Sequence, residues 1–316
     1  MEPLTGIAPP LNRQFERGPL RVWIAGAIVL AGAVLFHAPL YALWLLSFTS
    51  SLHSHTLMIP AVSLYILWLR RKWVFADLTF SPRIGGAILS AGLLIAAFQG
   101  IQADALQQAD RLFLAVLGLL LWLTGGFVLV CGRPAFKKAL FPILFLGFML
   151  PLPPALENPV LHFLQSGSAL AARMVLELLG VPVHSEGMLI SVPGLTVEVA
   201  AQCSGIRSAL ALLILSTVAG YLFLNAYWRR VVLVLAVIPV TILKNGLRIV
   251  TLALLGAYVD IAYLTDSVLH SSGGKPFLVL AVLMLAPVLW LLRRTERKKE
   301  ANPVAVIQVR RFKGSL

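Results

Sequence analysis

Acidic side chains are scarce in this chain, with 13 Asp and Glu against 26 Lys and Arg over 316 residues. Charge of either sign is thin as well: 12% of the residues are charged and 59% are hydrophobic. A soluble domain carries roughly 25% charged residues, so this composition excludes an ordinary pair of water-soluble domains and makes lipid the expected solvent for most of the chain. Cysteine is nearly absent. Cys131 and Cys203 are the two present, neither in a CxxC pair, which excludes a disulfide framework and a paired-thiol metal or redox motif. No pattern calls for a metal or a cofactor. The net charge of +13 raises the question of nucleic acid, but the cations sit between apolar runs and form no basic stripe with base-reading residues, so no nucleic-acid partner is expected. No internal repeat of the kind that builds a two-halved transporter is found.

What the chain does have is long apolar runs. A bilayer core about 30 Å thick is crossed by roughly 20 apolar residues of helix, and eight runs approach that requirement: 22–45, 54–69, 84–101, 112–130, 139–152, 204–224, 231–256 and 276–292. The expected fold is therefore an all-α polytopic membrane protein of about eight transmembrane helices. The first run is too long for a signal-peptide core and has no persuasive cleavage site, so it is read as a retained span. The run 139–152 is the shortest, and Lys137 and Lys138 beside it would have to snorkel or the bilayer thin locally.

Cationic loops are retained in the cytoplasm. Placing Arg13, Arg17 and Arg21 inside puts Arg70, Arg71, Lys72, Arg83, Arg133, Lys137, Lys138, Arg229 and Arg230 inside as well, together with the cluster Arg293 to Lys299 and the tail. Only Arg111, Arg173, Arg207, Lys244, Arg248 and Lys275 fall elsewhere. The organisation expected is a cytoplasmic segment 1–21, a membrane domain 22–299 and a cytoplasmic tail 300–316, with both termini inside. The stretch 153–201 is expected as an extracytoplasmic insertion. Its first half, with His162, Arg173 and Glu177, reads as a helix at the interface or tucked against the bundle. Its second half, with Pro, Gly and alternations such as Thr196-Val197-Glu198-Val199, reads as a small hairpin leading to Cys203.

Cys203 lies in Ala201-Gln202-Cys203-Ser204-Gly205-Ile206-Arg207, at the expected outer mouth of the sixth span. A free cysteine inside an apolar helix is ordinarily a small packing residue, and Cys131 fits that description. Cys203 differs, because it stands where an apolar helix meets water, and a helix N-terminus there would favour the nucleophilic thiolate. Arg207, four residues on, is a second cation for that thiol or for a substrate carboxylate. The seventh span contains Lys244-Asn245-Gly246-Leu247-Arg248. Cations in such a place cost about 2.5–3.5 kcal/mol each at the bilayer centre, so they face a bundle interior or a wet cavity. The spacings i, i+4 and i, i+3 put Lys244, Asn245 and Arg248 on one face, as candidates for substrate binding. Pairing of Arg248 with Asp260, Asp266 or backbone carbonyls is the competing reading. His270, just before the eighth span, has the pKa range of a general base. His53, His55, His162 and His184 map to the same expected side, so composition alone does not choose among them.

Taken together, Cys203-Ser204-Gly205-Ile206-Arg207-Ser208, then Asn245-Gly246-Leu247-Arg248-Ile249, then His270, resemble the exosortase/archaeosortase family in its bacterial form. The likeness extends roughly from Glu198 to Trp290, with the Leu150-Pro151-Leu152-Pro153-Pro154 kink as a more general similarity. The resemblance implies a cysteine peptidase or transpeptidase with Cys203 as nucleophile, Arg248 as stabiliser of the oxyanion or substrate carboxylate, and His270 as base. It also implies partners: exported proteins ending in a short Pro-Glu-Pro-like motif, a transmembrane helix and a basic cluster, processed at the outer face of a bacterial inner membrane, with an acceptor that the sequence does not name. Membrane lipids are the other expected partner. The alternatives are a transporter or polysaccharide-assembly subunit that binds an anion through Lys244 and Arg248, and an acyltransferase using His270 without Cys203.

Overall fold

The structure, a computed structural model, describes residues 18–102, 105–199, 204–260 and 274–300. Most of the amino-terminal segment, the carboxy-terminal tail, Cys203 and His270 lie outside the described residues. The chain divides into two compact units, Met1–Pro154 and Ala155–Leu316.

The first unit opens with α1 (Gly18–Leu35) and α2 (His37–Thr49), which meet at 71° where hydropathy alone reads one span. Pro39 supplies the reason: its ring lacks an N–H and clashes with the carbonyl four residues back, at Leu35, where α1 ends. After a series of turns comes α3 (Met58–Leu69), then the single turn α4 (Arg71–Val74). At 1.5 Å per residue, the twelve residues of α3 cover about 18 Å, short of a full crossing, because residues 54–57 of the expected run form turns. The helices α5 (Pro82–Ile101) and α6 (Gln108–Lys138) form the main pair of this unit. A methyl added at Gly92 would lie 2.7 Å from the Gly118 carbonyl, and one at Gly125 would lie 2.6 Å from the Leu89 nitrogen. The two backbones therefore touch through glycine, the contact that joins helices when lipid offers no hydrophobic drive. Only 11% of the apolar window of α5 is buried, so most of its side chains are left for lipid. The unit closes with α7 (Leu140–Phe145) and a 3₁₀ turn (Leu146–Met149).

The second unit is led by α8 (Pro154–Leu178), a helix separate from α7 and its 3₁₀ turn because Pro151, Pro153 and Pro154 interrupt the chain between them. An antiparallel three-stranded meander follows: β1 (His184–Glu186), β2 (Leu189–Val192) and β3 (Leu195–Glu198). Where a single hairpin is expected, two tight turns occur. Gly187 and Gly194, both with positive φ, make them. Register sets Ile190 opposite Val197 and Val192 opposite Leu195, so these four share one face. Ile190, Val192 and Val199 pack with Ala169, Ala172 and Leu176 of α8, and with Ile249 and Val250 further along the chain.

Those last two belong to α11 (Val237–Tyr258), which is preceded by α9 (Ile206–Phe223) and α10 (Tyr227–Leu235) and followed by α12 (Gly274–Glu300). α10 and α11 together make one apolar stretch from Tyr227 to Tyr258. Among the described residues five helices are long and apolar enough to cross a membrane, or up to seven if each bent pair is one span, where hydropathy reads eight.

One tie in this unit gives a stability prediction. The N-cap of α10, Ala226, has no capping side chain, and Glu296 of α12 serves instead. Its carboxylate accepts from the backbone N–H groups of Asn225 and Ala226, at 3.1 and 2.8 Å, and pairs with Arg229 at 3.1 Å. Arg229 is 6% exposed, so removing its partner strands a desolvated charge. Glu296→Ala is expected to cost about 2 kcal/mol, or roughly 5 °C in the melting temperature in detergent, and Glu296→Gln less, because the amide oxygen still accepts from the helix end. Equal melting of wild type and Glu296→Ala would refute the cap.

Candidate active site

The segment that carries Cys203 enters from β3 and leaves into α9. At the entry, Val199 is fixed three ways. Its N–H donates to the Met188 carbonyl at 2.8 Å, its carbonyl accepts from Gln165 Nε2 of α8 at 2.9 Å, and its side chain is 2% exposed. At the exit, Ser204 is fully buried and its Oγ accepts from the Ile206 N–H at 3.3 Å, a side-chain turn that leads into α9. Gly205 then sits at φ +76, where L side chains are strained. A Cβ there would also stand 3.0 Å from Cγ and 3.1 Å from Oδ1 of Asn245, so only glycine lets α9 start this close to α11. α9 begins at Ile206, three residues after the position of Cys203, somewhat later than the apolar run beginning at 204 implies.

α11 contributes Lys244, Asn245 and Arg248, and it is seated on α8 by small residues. A Cβ on Gly246 would come within 2.8 Å of the Ala171 methyl, and one on Gly167 within 2.9 Å of Ile242. The close approach buries Asn245 completely and leaves Lys244 2% exposed, while Arg248, one turn further on, is half-buried. The Lys244 ammonium donates to Ser208 Oγ at 2.5 Å, and the Ser208 hydroxyl donates in turn to the Gly205 carbonyl at 2.8 Å. Lys244 is thus engaged with α9 inside the bundle. Arg207, in the first turn of α9, is exposed.

The other histidines separate. His184 is exposed beside Glu186 at 3.3 Å, and His162 is exposed on α8 beside Ser166. His53 and His55 lie in the turns between α2 and α3, in the first unit, bonded to Ser50 Oγ at 3.0 Å and to the Phe148 carbonyl at 3.3 Å. Burial lowers the pKa of both below the usual histidine range. The carbonyl of Phe148 can only accept, so His55 Nε2 carries a proton. Among the described residues no group of three or more His, Cys, Asp or Glu is placed to hold a metal ion.

Gln165 and Ser208 are the polar residues whose part here the sequence does not announce. Their partners lie 34 and 36 residues away, and Gln165 is one amide in a 25-residue helix with no motif around it.

A family model described as transmembrane exosortase matches residues 44–289, a stretch that takes in β3, α9, α11 and every residue named at this site. No curated protein and no solved structure matches the chain.

Proposed function

The chain belongs to the transmembrane exosortase family, and on that footing we propose that it is a membrane-embedded cysteine peptidase or transpeptidase acting on the carboxy-terminal sorting signals of exported proteins. The observation that carries the reading is the arrangement of one short segment. The chain on either side of residues 200–203 is held by α8 and α11, and α11 also bears Arg248. A nucleophile that must meet a peptide bond in a fixed geometry needs such support from rigid elements.

The reaction runs in two halves. The Cys203 thiolate attacks the scissile carbonyl carbon, and the oxyanion that forms is stabilised by the Arg248 guanidinium. The C–N bond then breaks, the leaving amine takes a proton from His270, and the acyl group remains on Cys203 as a thioester. Water or an acceptor nucleophile attacks the thioester, gives its proton to His270, and releases the thiolate. Asn245 packs closely on Gly205 at the start of α9, and the exposed guanidinium of Arg207 offers a contact for an acidic residue next to the cleavage point.

The substrates are proteins with a short Pro-Glu-Pro-like motif, a transmembrane helix and a basic cluster. The helix of such a signal confines the scissile bond to the membrane surface, so tethering supplies much of the proximity the reaction needs. The site belongs at the extracytoplasmic face of the bacterial inner membrane, with both termini in the cytoplasm. An anion carrier built on Lys244 and Arg248 fits less well, because the Lys244 ammonium is already bonded to Ser208.

A trapping experiment tests the thioester. An exported reporter carrying the three-part tail is incubated with the full-length protein in membranes and quenched in acid. A reporter adduct is expected on Cys203 that neutral hydroxylamine removes. An adduct that resists hydroxylamine, or one that still forms in Cys203→Ala, rules the thioester out.

A further inference from the structure

The grips on the two sides of residues 200–203 are made by different helices and by polar side chains that the family reaction does not itself require. Upstream, Gln165 of α8 reaches across 34 residues of sequence to the Val199 carbonyl at 2.9 Å. Val199 is also tied to the meander, through its N–H to Met188. Downstream, Lys244 of α11 donates to Ser208 at 2.5 Å, and Ser208 donates to the Gly205 carbonyl at 2.8 Å. Cys203 is four residues from Val199 and two from Gly205, and each residue spans at most about 3.6 Å when extended, so the two anchors bound where position 203 can stand.

Lys244 is the more telling of the two. An ammonium 2% exposed is costly to bury, and an aliphatic side chain of similar length would fill the same space without that cost. The partner it has found is a hydroxyl, whose own proton goes to the carbonyl of Gly205. Charge-assisted donation from Lys244 polarises Ser208 and strengthens that second bond. The chain Lys244, Ser208, Gly205 thus ends two residues from Cys203, while Gln165 ends four residues before it.

We infer that Gln165 and Lys244 are positioning residues for the nucleophile, Gln165 acting through the Val199 carbonyl and Lys244 through Ser208 on Gly205. The inference rests on the reading of Cys203 as the nucleophile. Neither residue touches the reacting atoms. Each sets where the thiol stands relative to Arg248.

The test uses the full-length protein in a Cys131→Ser background, so that Cys203 is the one thiol. Two quantities are measured: kcat and KM on the three-part reporter, and the rate of maleimide alkylation of Cys203 against pH. Gln165→Leu and Lys244→Met are each expected to lower kcat by about tenfold to a hundredfold, the loss that a misplacement of about 1 Å brings, with KM unchanged and the alkylation profile displaced. Ser208→Ala should match Lys244→Met. The double variant Lys244→Met/Ser208→Ala should be no worse than either single, whereas Gln165→Leu and Lys244→Met should multiply, because they hold opposite ends. If Lys244→Met does not accumulate in membranes, Ser208→Ala reads the same end.

A raised KM with wild-type kcat in Lys244→Met would make Lys244 a substrate ligand and overturn its assignment. Wild-type kcat and alkylation in Gln165→Leu would overturn the assignment of Gln165. Activity retained in Cys203→Ala defeats the proposed reaction, while an inactive Cys203→Ala beside fully active Gln165→Leu and Ser208→Ala defeats this inference alone.

Discussion

Changing Cys203 to alanine is expected to stop release of a three-part reporter altogether, a fall of at least about 10³-fold, because loss of a covalent nucleophile leaves only substrate binding and electrostatics. The readout is the ratio of tail-bearing to released reporter in cells producing equal amounts of wild-type and variant protein. Cys131→Ser is the natural control. Cys131 lies on α6 in the other unit, next to the small cluster of Val74, Ala135 and Ala139, and should leave release unchanged. Cys203→Ser sharpens the result. A hydroxyl keeps the size of the side chain but is a far weaker nucleophile near neutral pH than a thiolate, so Cys203→Ser should be nearly as inactive as Cys203→Ala. Reporter release at the wild-type rate in either variant would remove the thiol from the reaction.

Arg248→Gln should cost roughly 10²- to 10³-fold in kcat, the usual consequence of losing one oxyanion donor. Arg248 is carried on a helix whose Gly246 lies directly against Ala171 of α8, so its backbone has little room to shift and compensate. Arg248→Lys distinguishes charge from shape. A lysine keeps the charge but lacks the planar fork of donors, so partial recovery relative to Arg248→Gln points to electrostatics, and no recovery points to bidentate geometry. A rise in KM alone, with kcat intact, would move Arg248 from the oxyanion to recognition of the substrate carboxylate.

Much of the membrane architecture is legible from hydropathy. The runs at 84–101, 112–130 and 276–292 lie within α5, α6 and α12, where the helix continues unbroken, in the last of them through Pro287. The differences occur where proline or turns compete with apolarity. The single run 22–45 becomes a 71° bend ahead of Pro39, which a window average does not register. Apolar content likewise overstates α3, whose first expected turns are not helical.

At the site, the sequence singles out what chemistry demands. Cations within an apolar helix are conspicuous, so Lys244 and Arg248 stand out at once, and their shared face follows from helical spacing. The support does not show itself in the same way. Gln165 has an unremarkable helical setting, and its value comes from β3 ending where α8 can reach it. Lys244 illustrates the converse: spacing puts it beside Arg248, but only packing reveals that its ammonium turns to Ser208. Long-range pairing of this kind depends on how α8, α9 and α11 approach one another, which no local pattern encodes.

The glycine seam between α5 and α6 bears on how the protein is made. The two helices are neighbours in the chain, and their mutual affinity comes from backbone contact at Gly92 with Gly118 and at Gly125 with Leu89. They can therefore close on each other as soon as both have left the translocon, while later segments are still being inserted. That early hairpin would let the first unit begin to settle as a body of its own ahead of the segments that follow it.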